Sequence, residues 1–176
     1  MVRCAECGFD WETEAAGIVR VISRFGQQYR ERVTAFDLLA VGRDGRDMVR
    51  IRPAPAVWSA LEYAAHMRDV LAFYFDRIDR ALCEDRPTMT AADFASMAES
   101  RRYQDEDVDS VLDAVDRRGS MTARRLRLLG PADWLRVGIG SEGGERTVLT
   151  LARRLAHDGH HHLMDLDRLY STVGRQ

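Results

Sequence analysis

Four long stretches of apolar residues spaced at helical intervals dominate this chain, and no run of alternating strands accompanies them. The first covers about residues 14–36, where Ile18, Val21, Ile22, Phe25 and Tyr29 recur at three- and four-residue steps behind a capping Thr13. The second follows Pro53 and Pro55, starts at Trp58 or Ser59 and runs to about Leu82, with Leu61, Ala64, Ala65, Val70, Leu71, Tyr74, Phe75 and Ile78 on its buried side. The third is capped by Asp107, runs from Val108 to about Leu129 and is stopped by Gly130-Pro131. The fourth spans about Thr147 to Tyr170 through Val148, Leu151, Leu155, Leu163, Leu166 and Leu169. The pattern predicts an all-α four-helix bundle.

The connections are long. VGRDGRDMVRIRPAP (41–55) reads as a link holding a short extended MVRI piece, and AADFASMA (91–98) as a helical turn or two inside a variable stretch. LGPADWLRVGIGSEGGERT (129–147) reads as a glycine-rich link. Such lengths leave room for a helix order other than up-down. One bundle domain over residues 13–176 is expected, preceded by a short extension, residues 1–12, that carries a C-x-x-C pair.

Several function classes are excluded. A net charge of -2 offers no basic surplus for nucleic acid or an anionic membrane. No apolar run reaches the roughly 18 residues of a membrane span, and MVRCAECGFDWE lacks a signal peptide's apolar core, so a cytoplasmic location is expected. All 26 basic residues are arginine, which removes lysine Schiff bases, lysine general bases and P-loop chemistry. G-x-S-x-G, H-E-x-x-H and a strand-led nucleotide loop are also missing.

The five histidines fall in two places: His66 alone on the second helix, and His157, His160, His161 and His162 on the fourth. His157 and His161 stand at i and i+4, one turn apart on one face, so two imidazoles can reach one cation. His66, the one histidine outside the cluster, supplies a third nitrogen, the donor set of a metal site with an open position. Burying such rings unpaired costs roughly 2 to 7 kcal/mol each, a cost that ligation removes. His160 and His162 read as flanking or surface residues, the alternative being that one of them takes the place of His161. Gly159 offers room for a close neighbour or a ligand. Glu62, four residues before His66, and Asp69, three after it, are candidates to orient that imidazole or move a proton, against the plainer reading of solvent-facing charges. Asp158 and Asp165 carry the same two readings. Trp58 reads as a core or helix-start anchor. Cys4-x-x-Cys7-Gly8 is similar to half of a zinc knuckle; Cys83, Asp10, a spare histidine or a second subunit would have to complete it. A redox dithiol and an inert free pair are the other readings.

WSALEYAAHMRDVL (58–71), followed by LARRLAHDGHHHLMDL (151–166), resembles the DinB-like superfamily of four-helix-bundle metalloproteins, on the branch of YfiT-like proteins and thiol-dependent S-transferases. The likeness spans about residues 13–172. The family pattern is one histidine on the second helix and an H-x-x-x-H pair on the fourth, which His66, His157 and His161 match. The resemblance implies a divalent metal, zinc or nickel, with solvent at the open positions; it also implies homodimers and use of a low-molecular-weight thiol such as mycothiol, bacillithiol or glutathione. Arginine in place of lysine looks like GC-rich actinobacterial coding, for which mycothiol is the natural thiol. Two departures stand out: Asp165 and Asp167 in LMDLDR, where many relatives carry glutamine, and CAECGFDWE, which lies outside the shared bundle. The expectation is a mycothiol-dependent S-transferase acting on a small electrophile, with a metal-dependent hydrolase or a non-catalytic metal- or ligand-binding stress protein as alternatives.

Overall fold

A computed structural model describes residues 2–40 and 45–175. Its long helices are α1 (Ala15–Ser23) with α2 (Phe25–Ala35), then, after the short α3 (Gly45–Met48), α4 (Ala60–Cys83); the short α5 (Phe94–Ser100) leads to α6 (Val108–Arg127), and α7 (Val148–Val173) closes the chain. The four-helix bundle is as the sequence predicts, with α1 and α2 together forming its first member. The predicted single helix over 14–36 breaks at Arg24, whose backbone turns to φ -98° and ψ -8°. Two residues on, Gly26 packs on the backbone of α6, where a Cβ would lie 2.7 Å from the Asp116 Cα.

Helix α4 packs against α6 and α7, and the α1–α2 segment packs against the same two helices from the other side. The α1–α2 segment and α4, consecutive in sequence, thus stand at opposite corners. So do α6 and α7. This is not an up-down bundle, and two of the long links follow from it, because those from α2 to α4 and from α6 to α7 must each cross a diagonal. Phe25, Tyr29 and Phe36 meet Ile18, Ile22, Leu61, Met67, Leu71, Leu112 and Leu126 in a fully buried core.

The connections differ from expectation in two places. In 41–55, residues 41–44 lie outside the described ones, Gly45–Met48 is helical, and Val49–Ile51 forms turn rather than strand. In 129–147 the chain forms an antiparallel hairpin, β1 (Val137–Ile139) and β2 (Glu145–Thr147), turning through Gly143 at φ +80°. Three-residue strands are too short to show alternation, so the sequence pattern missed them. Met89 N–H donates to Ile139 O (2.7 Å), and Ile139 N–H to Pro87 O (2.9 Å). Arg136 donates to the Ala81 and Glu84 carbonyls at the end of α4, at 2.7 and 2.8 Å. The hairpin is thereby tied to α4 at the C-terminal end, where free carbonyls favour a cation.

Gly159 has the close neighbour its size allows. The Phe25 ring lies where a Cβ would be, with Cε2 2.7 Å and Cε1 2.9 Å from that position, and the Tyr29 hydroxyl donates to Gly159 O at 3.0 Å. Gly159→Ala gains about 1 kcal/mol of helix propensity but overpacks a rigid ring at a cost of about 1 to 3 kcal/mol. The expected result is a net fall in thermal midpoint, partly recovered by adding Phe25→Leu, measured by circular dichroism.

Glu62 and Asp69 are both buried, and neither hydrogen-bonds His66. Glu62 completes a capping box with Ser59 and takes a bidentate guanidinium from Arg52 and an amide hydrogen bond from Gln104. Asp69 accepts from Arg68 at 3.0 Å, Arg101 at 2.8 Å and the Tyr103 hydroxyl at 2.7 Å. The expected role at the histidine is therefore replaced by a structural one: these carboxylates hold the 101–106 segment against α4. Burial pushes both carboxyls up, and the guanidinium and hydroxyl partners outweigh it, so both sit below their usual range. Their contribution is fully present above the unfolded carboxylate values of about 4 and is lost as pH falls through the lower folded values. Thermal midpoints should drop as pH falls below about 4. Asp69→Ala, which takes the acceptor from the buried Tyr103 hydroxyl and a partner from the part-buried Arg68, should cost about 1 to 3 kcal/mol at neutral pH and flatten that acid slope.

Candidate metal centre

Helix α7 carries two overlapping i,i+4 pairs, and the structure uses both. One residue step turns a helix by about 100°. Measured from the core residue Leu166, His162 therefore lies about 40° away, Asp158 about 80°, His161 about 140° and His157 about 180°. Asp158 and His162 consequently flank the core beside α4, whereas His157 and His161 point away from it.

The expected triad of His66, His157 and His161 is not what the fold assembles. His66, 4% exposed on α4, comes together with Asp158 and His162, one donor atom of each lying within 4.8 Å of the others. His157 and His161 come together instead with Cys4 and Cys7 under the same distance limit. The same i,i+4 spacing recurs one residue further along, at Asp158 and His162, and it is this pair that meets His66. The leucine positions on α7 carry the signal that separates the two pairs, since they set which face meets α4.

Around the first cluster the walls are aromatic. Trp58 and Phe94 each place a ring centroid 4.9 Å from that of His66, and Tyr63 stands 5.3 Å from His162. Trp58 is thus both a helix-start anchor and a wall of the site. The His66 and His162 rings meet edge to face at 4.8 Å. Burial, with the His162 charge behind it, brings His66 down to about 4, so this imidazole is neutral at physiological pH. Its Nδ1 is buried with no hydrogen-bond partner. His162 differs: burial lowers it, but Asp158 and Asp165 prevail and bring it up to about 9. Its Nδ1 lies 2.9 Å from Asp165 Oδ2 and its Nε2 3.4 Å from Asp158 Oδ1. Burial raises both carboxyls and the His162 contacts more than offset it, leaving both ionised.

These residues fit a divalent cation. Two imidazoles and a carboxylate on two packed helices are a first-row metal donor set with room for exogenous ligands. Asp165 is placed to fix the His162 tautomer from behind, as outer carboxylates do in metal sites. A buried ring nitrogen without a partner is otherwise a net cost.

A cleft of about 250 Å³ opens beside the cluster and shares Phe94 with it. Phe73, Tyr74 and Arg77 of α4, Arg146 of the hairpin and Arg154 of α7 line it further. Arg77 lies flat on Phe73, its Cζ 3.2 Å from the ring centroid. Arg154 is one turn before Asp158, so α7 itself joins cleft and cluster.

On the other side of α7 the N-terminal extension folds over the helix. Cys4 N–H donates to Phe9 O and Gly8 N–H to Cys4 O, both at 2.9 Å, and Gly8 takes φ +73°. The backbone N–H of Cys7, the His157 ring and the N–H of Glu6 bond the Cys4 sulfur and bring its thiol down to about 6. Cys7 Sγ receives the N–H of Phe9, yet burial raises this thiol. His160 Nε2 lies 3.1 Å from Cys7 O, so this histidine holds the extension rather than an ion. Cys83 is exposed and is not part of the cluster. None of the described helices is long and apolar enough to cross a membrane.

Comparison with known proteins agrees with this architecture. YfiT from Bacillus subtilis, described as a probable metal-dependent hydrolase with an unusual four-helix bundle topology, superposes with a TM-score of 0.76 at 14% identity, over 90% of this chain and 86% of that one. At that identity the likeness is one of fold. No curated protein matches in sequence. The model of the DinB superfamily matches residues 28–165, from α2 through both helices that carry the His66 cluster, and the chain belongs to that superfamily.

Proposed function

We propose that this protein is a metal-dependent enzyme centred on His66, Asp158 and His162, which transfers a low-molecular-weight thiol, with mycothiol first among the thiols to test, to a small electrophile. One observation carries the reading: three donors from α4 and α7 converge in an aromatic pocket, one of them a buried histidine nitrogen without a partner, beside an open cleft. His66, His162 and Asp158 would hold zinc or nickel. What the ion supplies when bound is Lewis acidity that makes a thiol or water nucleophilic near neutral pH.

The chain's own residues do the rest. His66 offers its lone pair without giving up a proton, because burial already keeps it neutral. Asp165 keeps the His162 proton at Nδ1, which turns Nε2 toward the cluster. Trp58, Tyr63 and Phe94 exclude water from one side. Arg77, Arg146 and Arg154 give the cleft a positive wall, which favours an electrophile bearing negative charge.

A second reading is hydrolysis, with water in the thiol's place; the description of the structurally similar YfiT favours it. The two separate in one experiment. Zinc- or nickel-loaded protein is given an anionic electrophile with and without mycothiol, and products are followed by mass spectrometry. Thiol conjugates that disappear in His66→Ala and His162→Ala support transfer. Products formed equally without thiol move the assignment to hydrolysis. Turnover unchanged in His66→Ala would remove the centre from the mechanism. Asp165→Asn, which loses the carboxylate behind His162, should lower metal affinity or activity by about 10- to 100-fold.

A further inference from the structure

The second cluster has no role in that chemistry, and its donors belong to another class. We propose that Cys4, Cys7, His157 and His161 form a structural tetrahedral zinc site that fastens the N-terminal extension to the outer face of α7. Cysteines with two residues between them and histidines with three between them are the spacings of Cys2His2 zinc sites, the two pairs here separated by most of the chain.

Four independent features support it. The four donor atoms lie within 4.8 Å of one another. A tetrahedral shell with bonds of about 2.0 to 2.3 Å sets donors roughly 3.3 to 3.8 Å apart, so closure needs shifts of about 1 Å. His157 Nε2 and His161 Nδ1 are both buried without a hydrogen-bond partner. The turn that carries both sulfurs is preformed: Gly8 at φ +73° closes it, its N–H donates to Cys4 O, and Cys4 N–H donates to Phe9 O, both at 2.9 Å. Finally, the second ring nitrogen of His161 faces carboxylates, with Glu6 Oε2 at 3.7 Å and Asp165 Oδ2 at 3.8 Å, as outer carboxylates back a ligating imidazole.

Binding releases the two thiol protons, and two thiolates with two neutral imidazoles balance the dication, so the site is uncharged when filled. All four positions are taken by protein, which leaves none for substrate. The extension carries Phe9 and Trp11 with it, and Trp11 sits 4.4 Å from the His157 ring. The site shares no ligand with the His66 cluster and stands whether or not the enzymatic assignment does.

The test uses the whole untagged chain, reduced, stripped of metal and titrated with cobalt(II), then zinc. Expected are tetrahedral visible bands with a sulfur-to-cobalt charge-transfer band, bleached by zinc. Zinc should also protect two of the three thiols from a disulfide reagent, leaving the exposed Cys83 reactive. Cys4→Ser/Cys7→Ser should lose the charge-transfer band and one equivalent of bound metal, whereas His66→Ala should keep the band. The proposal is overturned if the wild-type chain shows no charge transfer, if all three thiols stay equally reactive in zinc, or if anaerobically purified protein carries a Cys4–Cys7 disulfide. The wild-type readings decide the matter even if a variant fails to fold.

Discussion

The rotation of α7 about its own axis is the constraint on which both clusters depend. Phe25 occupies the space that a side chain at Gly159 would need, and the Tyr29 hydroxyl holds the Gly159 carbonyl. Those two contacts, from α2, admit one rotational setting. Once it is fixed, helical geometry distributes the rest: Asp158 and His162 face α4, and His157 and His161 face away. Rotating the helix by one residue would bring His157 and His161 to His66 and leave Ala156 and His160 in their places under the N-terminal extension. The glycine costs helix propensity, and the close approach it permits is what places the ligands.

Electrostatics then separates the two clusters in kind. The inner one combines a neutral histidine, a charged one and two ionised carboxylates in an aromatic enclosure. Such a set leaves coordination positions free and borders a cleft. The outer one pairs two sulfurs with two nitrogens. Asp165 lies between them, bonded to His162 on one side and 3.8 Å from His161 on the other. A single carboxylate thus holds the imidazole of one cluster and faces that of the other.

Much of the fold was legible because it rests on periodicity. The cap at Asp107, the starts at Ser59 and Thr147 and the ends of α4, α6 and α7 follow local rules that tertiary contacts do not override, whereas Thr13 does not cap α1 and its hydroxyl donates to Asp10 O instead. The break at Arg24 was not legible, because it answers to the close packing of Gly26 on α6. The hairpin was hidden in a glycine-rich stretch too short to show alternation. At the site, the residue types and helices were readable and the phase was not. Two overlapping i,i+4 pairs fit the same spacing rule, and the family pattern of three histidines favoured the one composed of histidines alone. Glu62 and Asp69 were placed on the right helix near His66, but their guanidinium partners come from the connections at 52 and 101, whose paths spacing cannot supply.

The family model begins at residue 28, so the superfamily match spans the helices that carry the histidines and does not reach Cys4 and Cys7. In a bundle lacking the extension, the outer face of α7 would present His157, His160 and His161 to water, where histidines need no partner. The extension changes the requirement. By covering that face with Phe9 and Trp11 it removes water from two ring nitrogens, and in the same fold it delivers the two sulfurs that meet them. Covering the face and supplying the ligands are one structural act, since the Cys4–Gly8 turn is what positions Phe9. A hairpin that only shielded the helix would have left buried imidazoles uncompensated. One that brought only cysteines would have had no partner donors. That the same short segment does both is the strongest physical reason to regard α7 as a helix with a ligand set on each side, the inner one suited to chemistry and the outer one to holding the chain in place.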